Sequence, residues 1–279
     1  MTTGLYLYCL REAVATRPET NPAASEIKAA AVDGNHRVFV RVFEGVEAVV
    51  SGLSLDDFGE MQKKAREDVH WIKEKALAHE MVVEEAMGKP ANRPAPVIPV
   101  KFGVIFNTDE RLADTLNRQS TAIRTAFDRI RGKQEWSLKL FLEDAQKFKE
   151  QVKEQNDTMR QRSKELAALP AGMAYFMEQE LDEDLERECS RKLDEEGVRT
   201  FEQFRPFAAE AARVKLLDGK LTGRRERMVL NSACLVANLH LPQFERAVSE
   251  MRGKFAAQGF LLEQGGPWPA YHFTEFAHD

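Results

Sequence analysis

Apolar positions along the chain change period several times, and each change marks an element. Residues 5–10 (LYLYCL) form a short apolar, aromatic-rich run suited to a buried first strand. Residues 16–25 (TRPETNPAAS) hold two prolines and read as a loop. Val38, Val40 and Val42 alternate with Phe39, Arg41 and Phe43, the two-residue period of a strand. Glu44-Gly45 follows as a tight turn and VEAVVSGLS as the returning strand, so a hairpin is expected. Residues 57–87 switch to a helical period, with Met61, Ala65, Val69, Ile72, Ala76, Val83 and Met87 near one face and Gly88 as the stop.

KPANRPAPVIP carries four prolines and must be extended. VKFGVIF reads as a strand in which Gly103 marks a bulge or a close backbone approach. Asp109 opens a helix with Leu112, Leu116, Ile123, Phe127 and Ile130 inward, and Gly132 ends it. EWSLKLFLE is the next strand, alternating Trp136, Leu138, Leu140 and Leu142 against polar neighbours. Residues 144–169 predict a long polar helix with a thin stripe of Ala145, Phe148, Val152, Met159, Leu166 and Leu169, broken at Pro170 and Gly172.

The second half opens with a helix apolar at Met177, Leu181, Leu185, Cys189 and Leu193, then a short piece holding Phe201, Phe204 and Phe207. AARVKLLD and ERMVLNSACLVAN read as strands joined by DGKLTG. Pro242 opens a helix with Phe244, Val248, Met251 and Phe255 inward, ended by Gly259. FLLEQGGPWPAYHF closes the chain as a strand, a turn and an aromatic tail. The expected class is α+β in two domains. Their bounds are 1–143, close to a split βαβ arrangement, and 171–279 with the tail, joined by the helix of 144–170. Trp268 between two prolines is expected to pin the tail to the second domain.

Charge narrows the function classes. The net charge is −5 over 279 residues, which argues against electrostatic binding of nucleic acid or of an anionic membrane surface. From Glu178 to Glu196 the chain holds ten acids and three bases, so one helix makes the whole protein acidic. MTTGLYLYCLRE lacks a basic region, so no signal peptide is expected, and no apolar run is long enough to span a bilayer. Cys9, Cys189 and Cys234 are far apart and form no CxxC, which fits buried thiols in the cytoplasm.

Catalytic signatures are absent. His79-Glu80 begins H-E-x-x-H, but Val83 stands at the second histidine, leaving a histidine on a helix flank. The Asp218–Thr222 stretch fails a phosphate loop at both ends, with Val214 and Leu221 where glycine and a hydroxyl are needed. His36, His70, His240, His272 and His278 lack Cys or Asp partners at ligand spacing. No catalytic, metal or cofactor residue is therefore assigned. The candidates for protein binding are Glu183, Asp184 and Glu186 on the acidic helix, and Trp268 and Tyr271 in the tail. A solvated helix side and ordinary packing are the competing readings. Arg187, Arg191 and Lys192 stand four residues from Glu183, Glu195 and Glu188, spacing that favours pairing within the helix.

Taken together and in order, several stretches carry a family likeness. They are LYLYCL, GVEAVVS, the helix with His70-Trp71 and KALAHE, PVKFGVIF, GKQEWSLK, GRRERMVLNSACLVA and GPWPAYHF. The chain resembles the gas vesicle accessory proteins of the F/L family over nearly its whole length; F and L are not separated by these stretches. The resemblance implies a ferredoxin-like N-terminal domain and a modified ferredoxin-like C-terminal domain. It implies a role in building gas vesicles, the hollow shells that give cells buoyancy, located at the vesicle and in the cytoplasm. The implied partners are the small hydrophobic shell protein and other accessory proteins, with no enzymatic activity and no cofactor. The rival readings are a purely structural vesicle component and an enzyme whose site assembles from distant residues.

Overall fold

A computed structural model describes residues 3–13, 27–55, 67–88, 95–166, 170–219 and 223–276, with the side chains of 171–174 set apart. The expected 16–25 loop, Met61 and Ala65 of the helical stripe, Leu169, and the tip of DGKLTG lie outside those residues.

The first sheet grows around the LYLYCL run. β1 (Thr3–Glu12) is buried from Gly4 to Leu10, as a strand covered on both faces must be. β2 (Val38–Phe43) and β3 (Val46–Ser54) form the expected hairpin, and Gly45 takes the left-handed turn position at φ +76°. The strand order is β2-β3-β1-β4, where β4 is Val97–Pro99, and β5 (Ile105–Phe106) also pairs with β1. Every pairing in this sheet is antiparallel. Of the expected strand over VKFGVIF only Ile105–Phe106 is strand, and the other short segment, Val97–Pro99, falls in the proline-rich stretch before it.

Among the described residues three helices accompany this sheet. α1 (Val69–Ala86) starts at Asp68, whose carboxylate accepts from the His70 and Trp71 backbone N–H groups. Its buried residues are His79, Val82, Val83 and Ala86, while Val69 is 67% exposed. The inner face is rotated from the expected stripe toward His79. Val82, Val83 and Met87 pack with Tyr6, Tyr8, Cys9 and Val49 in one core. The helix expected over 109–130 divides into α2 (Asp109–Arg118) and α3 (Ser120–Ile130), because Gln119 leaves helical geometry at φ −98°, ψ 6°.

The second sheet runs β7-β8-β6-β9, with β6 Lys133–Leu142, β7 Glu210–Arg213, β8 Arg227–Ala237 and β9 Phe260–Trp268. Between β6 and β7 lie α4 (Ala145–Gln155), α5 (Asp157–Leu166) and α6 (Ala171–Phe204), the last 34 residues long, or about 51 Å at 1.5 Å per residue. The expected connector is thus two helices, parted at Asn156, whose backbone turns extended and whose side chain accepts from the Met159 N–H at 3.2 Å. α7 (Leu241–Ala257) precedes β9. Gly197 lets α6 lie against β8: a Cβ there would stand 2.5 Å from the Val229 carbonyl oxygen. Leu138, Leu140, Phe204, Phe244, Val248 and Leu262 form the main core, and Val152, Met159, Leu181, Leu185 and Cys189 join the three helices.

Two compact units result: residues 1–135 with 267–279, and residues 136–266. These bounds differ from the expected 1–143, 144–170 and 171–279. The helices of 144–166 belong wholly to the second unit. The tail belongs to the first unit, where Ala270, Phe273 and Phe276 are buried.

Candidate functional site

Four features carry the chemistry that the fold brings together: a polar cluster in the first core, the ion pairs of α6, the aromatic tail, and the β2 edge.

The polar cluster is built on β1 and α1. His79 is 3% exposed, and its Nε2 lies 3.1 Å from the Val100 carbonyl oxygen. A carbonyl only accepts, so Nε2 carries the proton and Nδ1 accepts from the Tyr6 hydroxyl at 3.0 Å. The Tyr6 oxygen accepts in turn from the Gly103 N–H at 3.0 Å. Gly103 sits at φ +94°, a conformation that favours glycine. The Val100 N–H donates to the Tyr8 carbonyl and the Leu7 N–H to the Val104 carbonyl, so pairing with β1 resumes on both sides of residues 101–103. The bulge read from Gly103 is real, and the cluster holds it. Burial drives the His79 imidazole down to about 4 and pushes the Tyr6 phenol up, so both stay neutral near pH 7. Tyr8 is bound likewise: its oxygen accepts from the Val32 N–H at 2.9 Å and it shares a 2.9 Å bond with Ser51.

In this arrangement the named polar atoms of Tyr6 and His79 answer one another and the backbone, which is the work of a positioning device. Sequence reading placed His79 on a helix flank; its partner Tyr6 is 73 residues away, and no local signal joins them. His36 Nδ1 lies 2.5 Å from Asp33, a single hydrogen-bonded pair. Burial also pushes the Cys9 thiol up to about 12. Among the described residues no group of three or more His, Cys, Asp and Glu is placed to hold a metal ion.

The acidic helix is α6. Asp184 is half-buried and bound by Arg162 of α5 at 2.5 Å and by Arg187. The Arg162 hydrogen bond, ahead of the Arg187 charge, holds its carboxyl below the usual range. Glu186 pairs with Lys149 of α4 at 3.0 Å, and Glu183 is exposed. Arg187 and Arg191 reach acids three residues back, and Arg191 also meets Glu195. Bases on α4 and α5 thus answer much of the acidic run. Each exposed pair contributes at most about 1 kcal/mol, so together they set register more than stability. Sequence reading placed Met177 on the inner stripe; it is 38% exposed, beside Tyr175 at 58% and Phe176 at 70%. This aromatic patch lies out of phase with Leu181, Leu185, Cys189 and Leu193, which was the available signal.

Trp268 and Tyr271 are 38% and 36% exposed at the tail, in the unit that does not contain α6. The structure therefore does not gather the five candidates into one unit. The Tyr271 hydroxyl donates to Glu80 at 2.8 Å. The His272 backbone N–H and Nδ1 lie 3.1 and 2.6 Å from the two oxygens of Glu135, itself 3% exposed.

The two borders of the first sheet differ. β4 and β5 give one border only three and two residues, with Pro99 and the 101–103 bulge between runs. β2 gives the other a continuous run of six, and among the described residues it pairs with β3 alone. Val42 there is 70% exposed. Arg41 stacks over Phe39 at 4.8 Å and bonds Asp109 at 2.9 Å beside a cleft of about 410 Å³. No helix of the described residues is long and apolar enough to cross a membrane.

Comparison with known proteins agrees with this architecture. The family described as gas vesicle synthesis protein GvpL/GvpF matches residues 4–275. Gas vesicle protein L2 of Halobacterium salinarum is 24% identical over 283 residues, spanning 98% of this chain and 92% of that protein. The crystal structure of gas vesicle protein GvpF from an Anabaena species superposes with a TM-score of 0.64 at 19% identity, covering 99% and 98% of the two chains. GvpF from Microcystis aeruginosa gives 0.64 at 18% identity, covering 98% and 99%.

Proposed function

Because the chain belongs to the gas vesicle GvpL/GvpF family, we propose that it is an assembly factor or minor vesicle component that binds the small hydrophobic shell protein. Other gas vesicle accessory proteins are its further partners, and it works at the vesicle and in the cytoplasm. The reading assigns it no reaction. A shell monomer with a large apolar surface aggregates unless it is held before assembly, and a chain with net charge −5 is suited to hold it in solution.

The observation that carries the reading is the β2 edge. Strand addition needs a row of unpaired backbone groups and alternating apolar side chains, and β2 (VFVRVF), which among the described residues pairs on one side only, offers both. The opposite border is interrupted by Pro99 and the bulge, the devices that block such pairing. The strand orders support a ferredoxin-like reading of both units. In each, the unit's first strand lies between the hairpin-like pair and a later strand, as β2-β3-β1-β4 and β7-β8-β6-β9.

The test is capture of purified shell protein by Val42→Pro. Capture should fall at least tenfold while circular dichroism and the urea midpoint hold. If the proline disturbs the hairpin, Val42→Lys replaces it at a side chain already exposed. Undiminished capture by a folded edge variant rejects strand addition at β2.

A further inference from the structure

β9 runs on through Gly265-Gly266-Pro267 to Trp268, with Gly266 at φ +127°, and the chain's last residues join the first unit. They do so as a separate short piece. Ala270, Phe273 and Phe276 are 7, 3 and 5% exposed, so three side chains anchor it. Fixed polar groups complete the seat: Glu80 of α1 takes the Tyr271 hydroxyl, and buried Glu135 of β6 takes two donors of His272. The Arg129 guanidinium stands 5.9 Å from the Phe273 ring centre, and Lys101 meets Glu275 at 3.6 Å. A cavity of only about 20 Å³ lies beside the start of the tail, among Met87, Val97, Ile130, Pro267 and Trp268.

We propose that this groove also accepts the tail of a second copy of the chain, so that copies link by exchanging tails. The fit is already on display, since a second copy's tail brings the same phenol, imidazole and phenylalanines to Glu80, Glu135 and Arg129. A terminal segment with its own anchors, following a strand end that holds a positive-φ glycine, is the element that exchanges at low cost. The tethered tail has an effective concentration in the millimolar range, so exchange grows only where copies are crowded. Nothing in this inference depends on the shell protein.

The test uses the full chain and a fluorescein-labelled synthetic peptide of residues 265–279. Phe273→Ser/Phe276→Ser vacates the groove and should bind the peptide saturably. The wild type, with its groove filled, should bind at least tenfold more weakly. Adding Glu135→Ala to the vacated chain should abolish binding. Should the double serine variant misfold, Tyr271→Phe/His272→Ala loosens the same tail with its apolar anchors intact. Sedimentation of the wild type at rising concentration should show a species of twice 31.7 kDa, absent from the serine variant. A folded vacated chain that ignores the peptide, or a wild type that stays monomeric when crowded, overturns the proposal.

Discussion

Tyr6→Phe isolates what the buried polar cluster contributes. The substitution keeps the ring and its contacts with Tyr8, His79 and Phe102, whose centres lie 4.8, 5.7 and 6.2 Å away. It deletes one hydroxyl that serves two partners. His79 Nδ1 loses its donor and the Gly103 N–H loses its acceptor. A buried polar group left without a partner costs about 1–3 kcal/mol. Gly103 is half-buried, so water meets part of its need, and the combined loss should be about 2–4 kcal/mol. Urea unfolding at pH 7.5 gives the stability change from the midpoint at constant slope. Hydrogen exchange reports the site itself, because the amides of Leu7, Val100 and Gly103 should lose protection before those that pair β1 with β3. A loss under 0.5 kcal/mol with unchanged exchange at these three amides would refute the reasoning that the cluster holds the bulge.

Further predictions concern pH and packing. The His79 imidazole is held at about 4 against 6.5 when free, so the unfolded chain binds the proton first. Stability should be complete above pH 6.5 and fall by about 3 kcal/mol as the pH drops to about 4, measured by urea titrations at pH 7.5, 5.5 and 4.5. A flat profile over that window contradicts a neutral buried His79. His272 has the opposite sign: the Glu135 hydrogen bond raises its pKa, so its contribution is full below pH 6.5 and is lost as pH rises through the raised value. Protection factors of the 270–274 amides should therefore be higher at pH 6 than at pH 9, and equal factors would dismiss the imidazolium as a latch. Gly197→Ala should destabilise by about 1–3 kcal/mol despite alanine's better helix propensity, since its Cβ meets the Val229 carbonyl. A neutral or stabilising result in thermal unfolding would mean that α6 shifts freely on β8.

The strands were legible because each is a dense apolar run bounded by turn residues. β1, the β2–β3 hairpin, β6 and β8 lie where the periods place them. The bulge was legible through Gly103 alone. Helix breaks were less so. Gln119 carries no breaker chemistry, and only the packing divides α2 from α3. Asn156 does carry a capping side chain, and giving it weight would have split the supposed connector. The tail's aromatics were visible as anchors, but their seat was not. Glu135 and His272 are 137 residues apart, and neighbourhood in sequence points to the wrong unit. His79 was hidden for the same reason, its role being set by Tyr6 and Val100 across the fold.

The central claim is that this chain binds the gas vesicle shell protein. The most direct measurement is to tag the chain in vesicle-producing cells, isolate it under mild conditions, and identify what accompanies it by mass spectrometry. The account predicts strong enrichment of the small hydrophobic shell protein, with other gas vesicle accessory proteins beside it. Isolation of the intact chain without the shell protein, from cells actively making vesicles, would contradict it.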